Sequence, residues 1–453
     1  MNLPHYFIAD LPPEAVLSAA MITEACQTLK RNREKYLVSR PTQSLIELLG
    51  GLAAAWRQPE FSFRRLALEH GPAATGFSRA TLAKGLDGFF AQITPQNLHA
   101  LLVQELGHAR RLDGLVSTGP EEISCRAATA FGPDMLVHIA AGNLPNPALT
   151  SLVLGVLTRS AQFVKCASGA SFLPRLFAHS LYEADPKLGA CLELAEWRGG
   201  DVALETALFA EADCVTATGD DETLAAIRAR LPAQTRFVGY GRRVSFGFVA
   251  RGALSGTNPK KIVSLAAADV VAWNQLGCLS PHVFYVEAGG SVSPVDFAAL
   301  LADELAGCEA AEPRGELPPG TAARIAALRD IYEVRAAHLP DTRVWKSSNS
   351  TAWTVVFETD PRFQLSCLNR FIHIKPVAHL TEALQAADAV QGQVSTVGLA
   401  APEHEQRELA RQLARWGATR VCPLGRMQHP PLTWRHDGRP PLGDLVRWSD
   451  LEF

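Results

Sequence analysis

The stretch 135–171, MLVHIAAGNLPNPALTSLVLGVLTRSAQFVKCASGAS, decides the fold. It starts as a β-rich run at 135–140, passes a proline-rich turn, continues as an apolar helical run at 148–160 and returns to a β-rich run at 162–165. The alternation continues with strands expected at 191–197, 214–217 and 236–238 and helices at 172–182, 202–211 and 222–231. Strand, helix, strand repeated in this way predicts a parallel sheet covered on both faces. Ligands of such sheets bind beyond the carboxyl ends of the strands.

Working outward, residues 1–125 read as mostly helical, with helical apolar spacing at 45–56 and 81–90. A second series begins near Val244, with strands at 244–250, 283–286, 354–357 and 371–375. Asn258 and Pro259 supply a cap and a first-turn proline for a helix running to Trp273. The cluster EAAEPRGELPPG at 309–320 reads as an exposed connector. At 453 residues the chain exceeds one ordinary core, so two large domains are expected.

A formal net charge of -3 without a basic block leaves no footprint for nucleic acid. The amino terminus MNLPHYFIADLPP shows no basic and apolar signal pattern, so no secretory signal is expected. The longest apolar stretch, 148–157, is interrupted by Thr150 and Ser151 and falls short of the roughly 20 residues that span a bilayer. Nine scattered cysteines without C-x-x-C spacing argue against structural zinc and disulfides, and for a reducing, cytoplasmic setting. No metal site is expected.

Cys278, in WNQLGCLSPHVFYVE (273–287), lies in a glycine-bearing loop between an expected helix and an expected strand. A nucleophile held there stays both fixed and reachable. Asn143 ends the first strand of the opening stretch, just before a helix. Its carboxamide is suited to donate to an oxygen gaining negative charge, although asparagine before such turns also serves local backbone bonds. Lys165 ends the next strand, placed to reach a ribose hydroxyl or phosphate, with Ser168 and Ser171 following. Thr218 and Gly219 end a further strand, and the glycine lets a backbone approach a pyrophosphate. Asp220 and Asp221 read as capping and first-turn residues. His282, four residues after Cys278, could polarise the thiol or begin a strand, and the strand start is the expected role.

In order, GNLPNP, FVKCAS, ADCVTATGDDET and NQLGCLSPH resemble the aldehyde dehydrogenase superfamily. Within it the chain is most similar to the LuxC-type acyl-CoA reductases, the fatty-acyl thioester reductases. TGFSRATLAKGLDGFF, YGRRVSFGFV, GATRVCPLGRM and HDGRPPLGDLVRW extend the resemblance over nearly the whole chain. It implies an α/β, aldehyde dehydrogenase-like fold of two parallel-sheet (Rossmann-like) domains with a small oligomerisation arm, and a homo-oligomer. Residues 1–243 would hold the helical region and dinucleotide domain, and 244–425 the catalytic domain. Residues 426–453 would return to the cofactor domain or a partner subunit. Cys278 would be the nucleophile and Asn143 the oxyanion donor; Lys165, Ser168, Thr218 and Gly219 would face the coenzyme.

Two departures sharpen this expectation. Aldehyde-oxidising relatives carry a glutamate near the junction, as base for the water that hydrolyses the thioester. Here 238–250 holds no carboxylate, which favours reduction. NAD-preferring relatives often place a glutamate three residues after the cofactor lysine, where this chain has Ser168. A hydroxyl does not repel a 2'-phosphate, so the expected donor is NADPH, with NADH as the alternative. The expected substrate is an acyl-CoA or a carrier-bound acyl thioester, and an acyl-transferring protein is a possible partner. Rival readings are a cysteine acyltransferase or thioesterase without nucleotide, and a non-catalytic scaffold.

Overall fold

The computed structural model describes residues 3–12, 14–255 and 259–453. The described strands are β1 (Arg126–Phe131), β2 (Met135–Ile139), β3 (Ala161–Cys166), β4 (Leu192–Glu196), β5 (Cys214–Thr218), β6 (Arg236–Tyr240), β7 (Val244–Val249), β8 (Pro281–Glu287), β9 (Thr342–Lys346), β10 (Thr354–Glu358), β11 (Phe371–Val377), β12 (Val394–Ala400), β13 (Arg420–Pro423) and β14 (Arg447–Glu452).

β2 to β6 form an all-parallel sheet in the order β4-β3-β2-β5-β6. Every residue of β3 is buried, as a doubly covered strand requires. One face packs against the helices Asn146–Leu157 and Phe172–Ala184 together with the amino-terminal helices Thr42–Trp56 and Arg79–Phe90. Trp56 joins these layers: its Nε1 donates to Ser180 Oγ at 2.9 Å, and its ring stacks on Phe90 at 4.9 Å between centroids. The helical amino-terminal region therefore shares the core of the first sheet. Ile22, Cys26 and Leu29, from the helix Ala19–Tyr36, cover the opposite face.

The strand order reverses around β2, which hands the chain to β3 on one side while β5 returns on the other. The carboxyl ends of β3, β2 and β5 are thus neighbours, and Lys165, Asn143 and Thr218 come from those three strand ends. With strands about 4.8 Å apart, β3 and β5 are separated by roughly 10 Å.

The second sheet has the order β13-β12-β7-β8-β11-β10-β9, parallel apart from the β9–β10 pair. Its middle strands β7, β8 and β12 are buried throughout. The connector expected at 309–320 is shorter than its composition implies. The helix Pro294–Ala311 continues into it because Phe297, Leu301 and Leu305 keep one face in the core. Pro319 then opens the helix Pro319–His338, since a first-turn proline gives up no helical bond. Asn258 lies outside the described residues, and Pro259 opens the helix Pro259–Val271.

That helix ends two residues before Trp273. Trp273, Asn274 and Gln275 have φ of 50°, 52° and 64°, in the left-handed region. Leu368, Asn369 and Arg370 form a second such triplet, with φ of 64°, 58° and 64°. Each residue held there costs about 1–2 kcal/mol, and the two turns are held by bonds between them and to their surroundings, such as Asn274 Nδ2 to Arg314 O and Arg370 Nη1 to Glu309 Oε2. Asn369 N–H donates to Asn274 O at 3.0 Å, Arg370 Nε to Asn274 Oδ1 at 3.1 Å, and Phe371 N–H to Gln275 Oε1 at 2.9 Å. The double turn directs the Cys278 loop at the amino edge of β8 toward the carboxyl edge of the first sheet.

Beyond β13 the chain runs back across the first sheet. Leu442 and Gly443 N–H groups each donate to Glu105 Oε2 at 2.8 Å, and Arg236 donates to Val446 O at 2.7 Å. β14 then pairs antiparallel with β1, Arg126 opposite Glu452.

Candidate active site

A cleft of about 180 Å³ lies where the two sheets and the returning carboxyl-terminal segment meet. Its walls come from the helix Arg79–Phe90 (Phe89), the helix Asn146–Leu157 (Leu154), the end of β5 (Thr218), the end of β6 (Tyr240), the loop before β8 (Cys278) and the segment from His429 to Leu432. Most of this lining is apolar.

Of the nine cysteines, only Cys125 and Cys278 are exposed, and Cys278 is the one in the cleft wall. Its carbonyl accepts from Ser245 Oγ at 2.7 Å, and the same Ser245 Oγ accepts from Thr396 N–H at 3.1 Å, which fixes the loop to β7 and β12. The thiol reaches solvent through the cleft, yet protein surrounds it. Burial pushes its pKa up to about 12; the charge of Asp437 adds to this and Arg243 opposes it. At neutral pH the group is therefore a thiol, and attack requires a proton acceptor.

Asn143 is exposed, and its Nδ2 donates to Leu276 O at 3.0 Å, two residues before Cys278. Of its two amide hydrogens, this bond uses one. Asn146, one helical turn on, lines the cleft, and its buried Oδ1 has no hydrogen-bond partner among the described residues. Lys165 is buried at the end of β3, its Nζ 5.8 Å over the Trp197 ring, with no carboxylate in salt-bridge range among the described residues. Desolvation lowers its pKa, and Glu205 pulls the other way. Ser168 is exposed in the following turn. Beside it, Gly169 at φ 76° donates its N–H to Glu196 Oε1 at 2.6 Å. A carboxylate therefore does stand next to Ser168, supplied by β4.

Thr218 lines the cleft, and Gly219 N–H donates to Tyr240 O at 3.2 Å. A Cβ on Gly219 would only touch Thr223, at 3.4 Å, so the fold itself does not demand glycine there. Asp220 caps the helix Asp221–Arg230 through Thr223 N–H at 2.7 Å, as its position predicts. His282 is structural: its Nδ1 accepts from Ser366 N–H at 3.0 Å, and desolvation lowers its pKa to about 4. Of the expected residues, Cys278 and Thr218 line the cleft; Asn143 touches the Cys278 loop through Leu276 O, Gly219 follows Thr218, and neither is in the lining, while Lys165 and Ser168 lie farther along the same sheet edge.

Sequence reading passed over Tyr240, Ser245, His429 and His436. Its quoted motifs YGRRVSFGFV and HDGRPPLGDLVRW contain three of these, and their pattern alone assigns no chemistry. No aspartate or glutamate is among the described residues lining the cleft.

Two parallel sheets that face a cysteine loop toward the switch point of the first define the aldehyde dehydrogenase fold. Solved structures agree. The putative aldehyde dehydrogenase PutA of Anabaena variabilis superposes with a TM-score of 0.68 at 15% identity, over 96% of this chain and 94% of that one. The NADP-dependent glyceraldehyde-3-phosphate dehydrogenase of Bacillus halodurans, complexed with NADP, gives 0.70 at 13% identity over 96% and 92%. Within that fold the chain belongs to the acyl-CoA reductase (LuxC) family, whose profile matches residues 37–448. The long-chain acyl-protein thioester reductase of Photorhabdus luminescens is 25% identical over 53% of this chain and 49% of its own length. That of Aliivibrio fischeri is 22% identical over 90% of this chain and 82% of its own. The first alignment spans about half of the relative. Among the described residues no helix is long and apolar enough to cross a membrane.

Proposed function

We propose that the protein reduces an acyl thioester to the aldehyde through an S-acyl intermediate on Cys278. The observation that carries this is the cleft itself, which joins an exposed thiol to a dinucleotide-type strand edge and has no carboxylate among its described lining residues to activate water. Family membership supports the reaction class, and the apolar walls suit a fatty acyl chain delivered by CoA or by a carrier protein.

Cys278 Sγ attacks the thioester carbonyl. The oxygen that gains charge is held by the remaining Asn143 N–H and the Cys278 backbone N–H, and removing one such donor raises the barrier by about 2.7–4 kcal/mol. The substrate sulfur leaves, and the acyl group stays on Cys278, with no aspartate or glutamate among the described cleft-lining residues to activate water. Bound reduced nicotinamide dinucleotide would supply the hydride that releases aldehyde.

The carboxyl edge of the first sheet fits that coenzyme. Lys165 is a buried cation without an ion pair among the described residues, and the space over Gly219 leaves room for a phosphate. In this reading residues 1–243 bind it, 244–425 carry the nucleophile and 426–453 close the cleft. Ser168 and Lys165 favour NADPH; the Glu196 carboxylate favours NADH as the second reading. The ribbon of β1 and β14, with Phe131 and Trp448 exposed, supports a homo-oligomer.

The test mixes purified protein with fatty acyl-CoAs of graded length and NADPH or NADH, follows coenzyme absorbance and traps the aldehyde. Aldehyde should form in step with coenzyme oxidation and vanish in Cys278→Ala with the fold intact. Full activity in that variant sinks the assignment.

A further inference from the structure

The thiol of Cys278 is protonated at neutral pH, so the acylation step needs a base, and the described cleft lining offers no carboxylate. Its two imidazoles are His429 and His436. They are distinguished by the charges around them. His429 packs against Gly88 and senses Arg426, Lys84 and Arg420. His436 senses Asp437 and Arg243, the same two side chains that act on Cys278. His436 and Cys278 therefore share one electrostatic neighbourhood as well as one cleft.

The surroundings of His436 hold its ring still. It stacks on Tyr240 at 4.1 Å and 11° and lies 4.7 Å from Trp434. Asp437 and Gly438, at φ 52° and 80°, turn the backbone sharply beyond it, and Arg439 N–H closes the turn on His436 O at 3.1 Å. Asp437 is itself fixed by Ser395 Oγ at 2.7 Å and Arg243 at 3.3 Å. The charged or titratable groups facing the ring are thus Asp437, Arg439, Arg243 and Tyr240. Burial lowers the imidazole pKa and holds Tyr240 up at about 12. Near neutrality the ring is unprotonated, as a base must be.

We propose that His436 is the general base of acylation. Its imidazole takes the Sγ–H proton of Cys278 as Sγ bonds to the thioester carbonyl carbon, then returns that proton to the departing sulfur as the substrate C–S bond breaks. The role rests on Cys278 being the acylated residue.

Acylation is measured without coenzyme, by rapid quench and intact mass with dodecanoyl-CoA as acyl donor. His436→Gln should acylate at least about 100-fold more slowly, with partial rescue by added imidazole. The wild-type rate should fall on the acid side with an inflection below the ordinary histidine value of about 6.5. Alkylation of the Cys278 peptide by iodoacetamide should show the same inflection, a readout that needs no variant. A His436→Gln rate within threefold of wild type, or a wild-type rate that climbs tenfold per pH unit without inflection, overturns the proposal. If Cys278→Ala still takes up the acyl group, the reading of Cys278 fails first.

Discussion

Asn143 shows how one side chain can serve two needs. Its bond to Leu276 O ties the loop after β2 to the Cys278 loop, and under the proposed mechanism its second hydrogen meets the oxyanion. Asn143→Ala should therefore lower turnover by roughly 100- to 1000-fold while coenzyme affinity, read by NADPH fluorescence, stays near wild type. An equal loss of both would make Asn143 a structural tether only. Glu196 shows the limit of one-dimensional reading. Ser168 is legible in the sequence as an absent carboxylate, but sheet pairing brings a carboxylate from β4 to the neighbouring Gly169. Removing that charge should ease approach of a 2'-phosphate. Glu196→Gln is expected to tighten NADPH binding several-fold relative to NADH, and an unchanged ratio would place Glu196 away from the ribose.

At the scale of elements, the strand–helix alternation of 135–240 was open to reading because each strand is a short apolar run bounded by turn residues. β9, β12, β13 and the β1–β14 ribbon were passed over. β14 is exposed throughout and carries no buried periodicity, and β12 and β13 are recognised as a pair only through their neighbours. The left-handed triplets were equally hidden, since Trp, Asn, Gln, Leu and Arg at those positions give no glycine signal. The turn after Pro259–Val271 is pressed against the helix Arg79–Phe90, where a Cβ on Gly85 would lie 2.1 Å from the Trp273 indole. Gly85→Ala should force Trp273 aside, lower stability by about 1–3 kcal/mol in thermal or denaturant unfolding and slow acylation of Cys278. Gly219→Ala is its counterpart. Unfolding should stay unchanged within error, because a Cβ there meets only ordinary contact with Thr223, while dinucleotide affinity should drop if the proposed coenzyme site is as described.

Across the whole molecule, the chain lays down the first sheet, builds the second, and spends its last thirty or so residues travelling back to the first. Removing residues 447–453, which carry β14, should leave β1 without its partner and, under the proposed homo-oligomer, lower the mass seen by light scattering in the eluted protein. The return path also orders events in time. Asn143 and Cys278 are both synthesised before His436 and the segment His429–Leu432 that walls their cleft. A nascent chain from which residues 429–441 have yet to emerge has most of both sheets available to fold but an open groove in place of the cleft. Until that stretch emerges the proposed base is missing, so acylation of Cys278 by the proposed route is expected to begin only after residues 429–436 have joined the cleft.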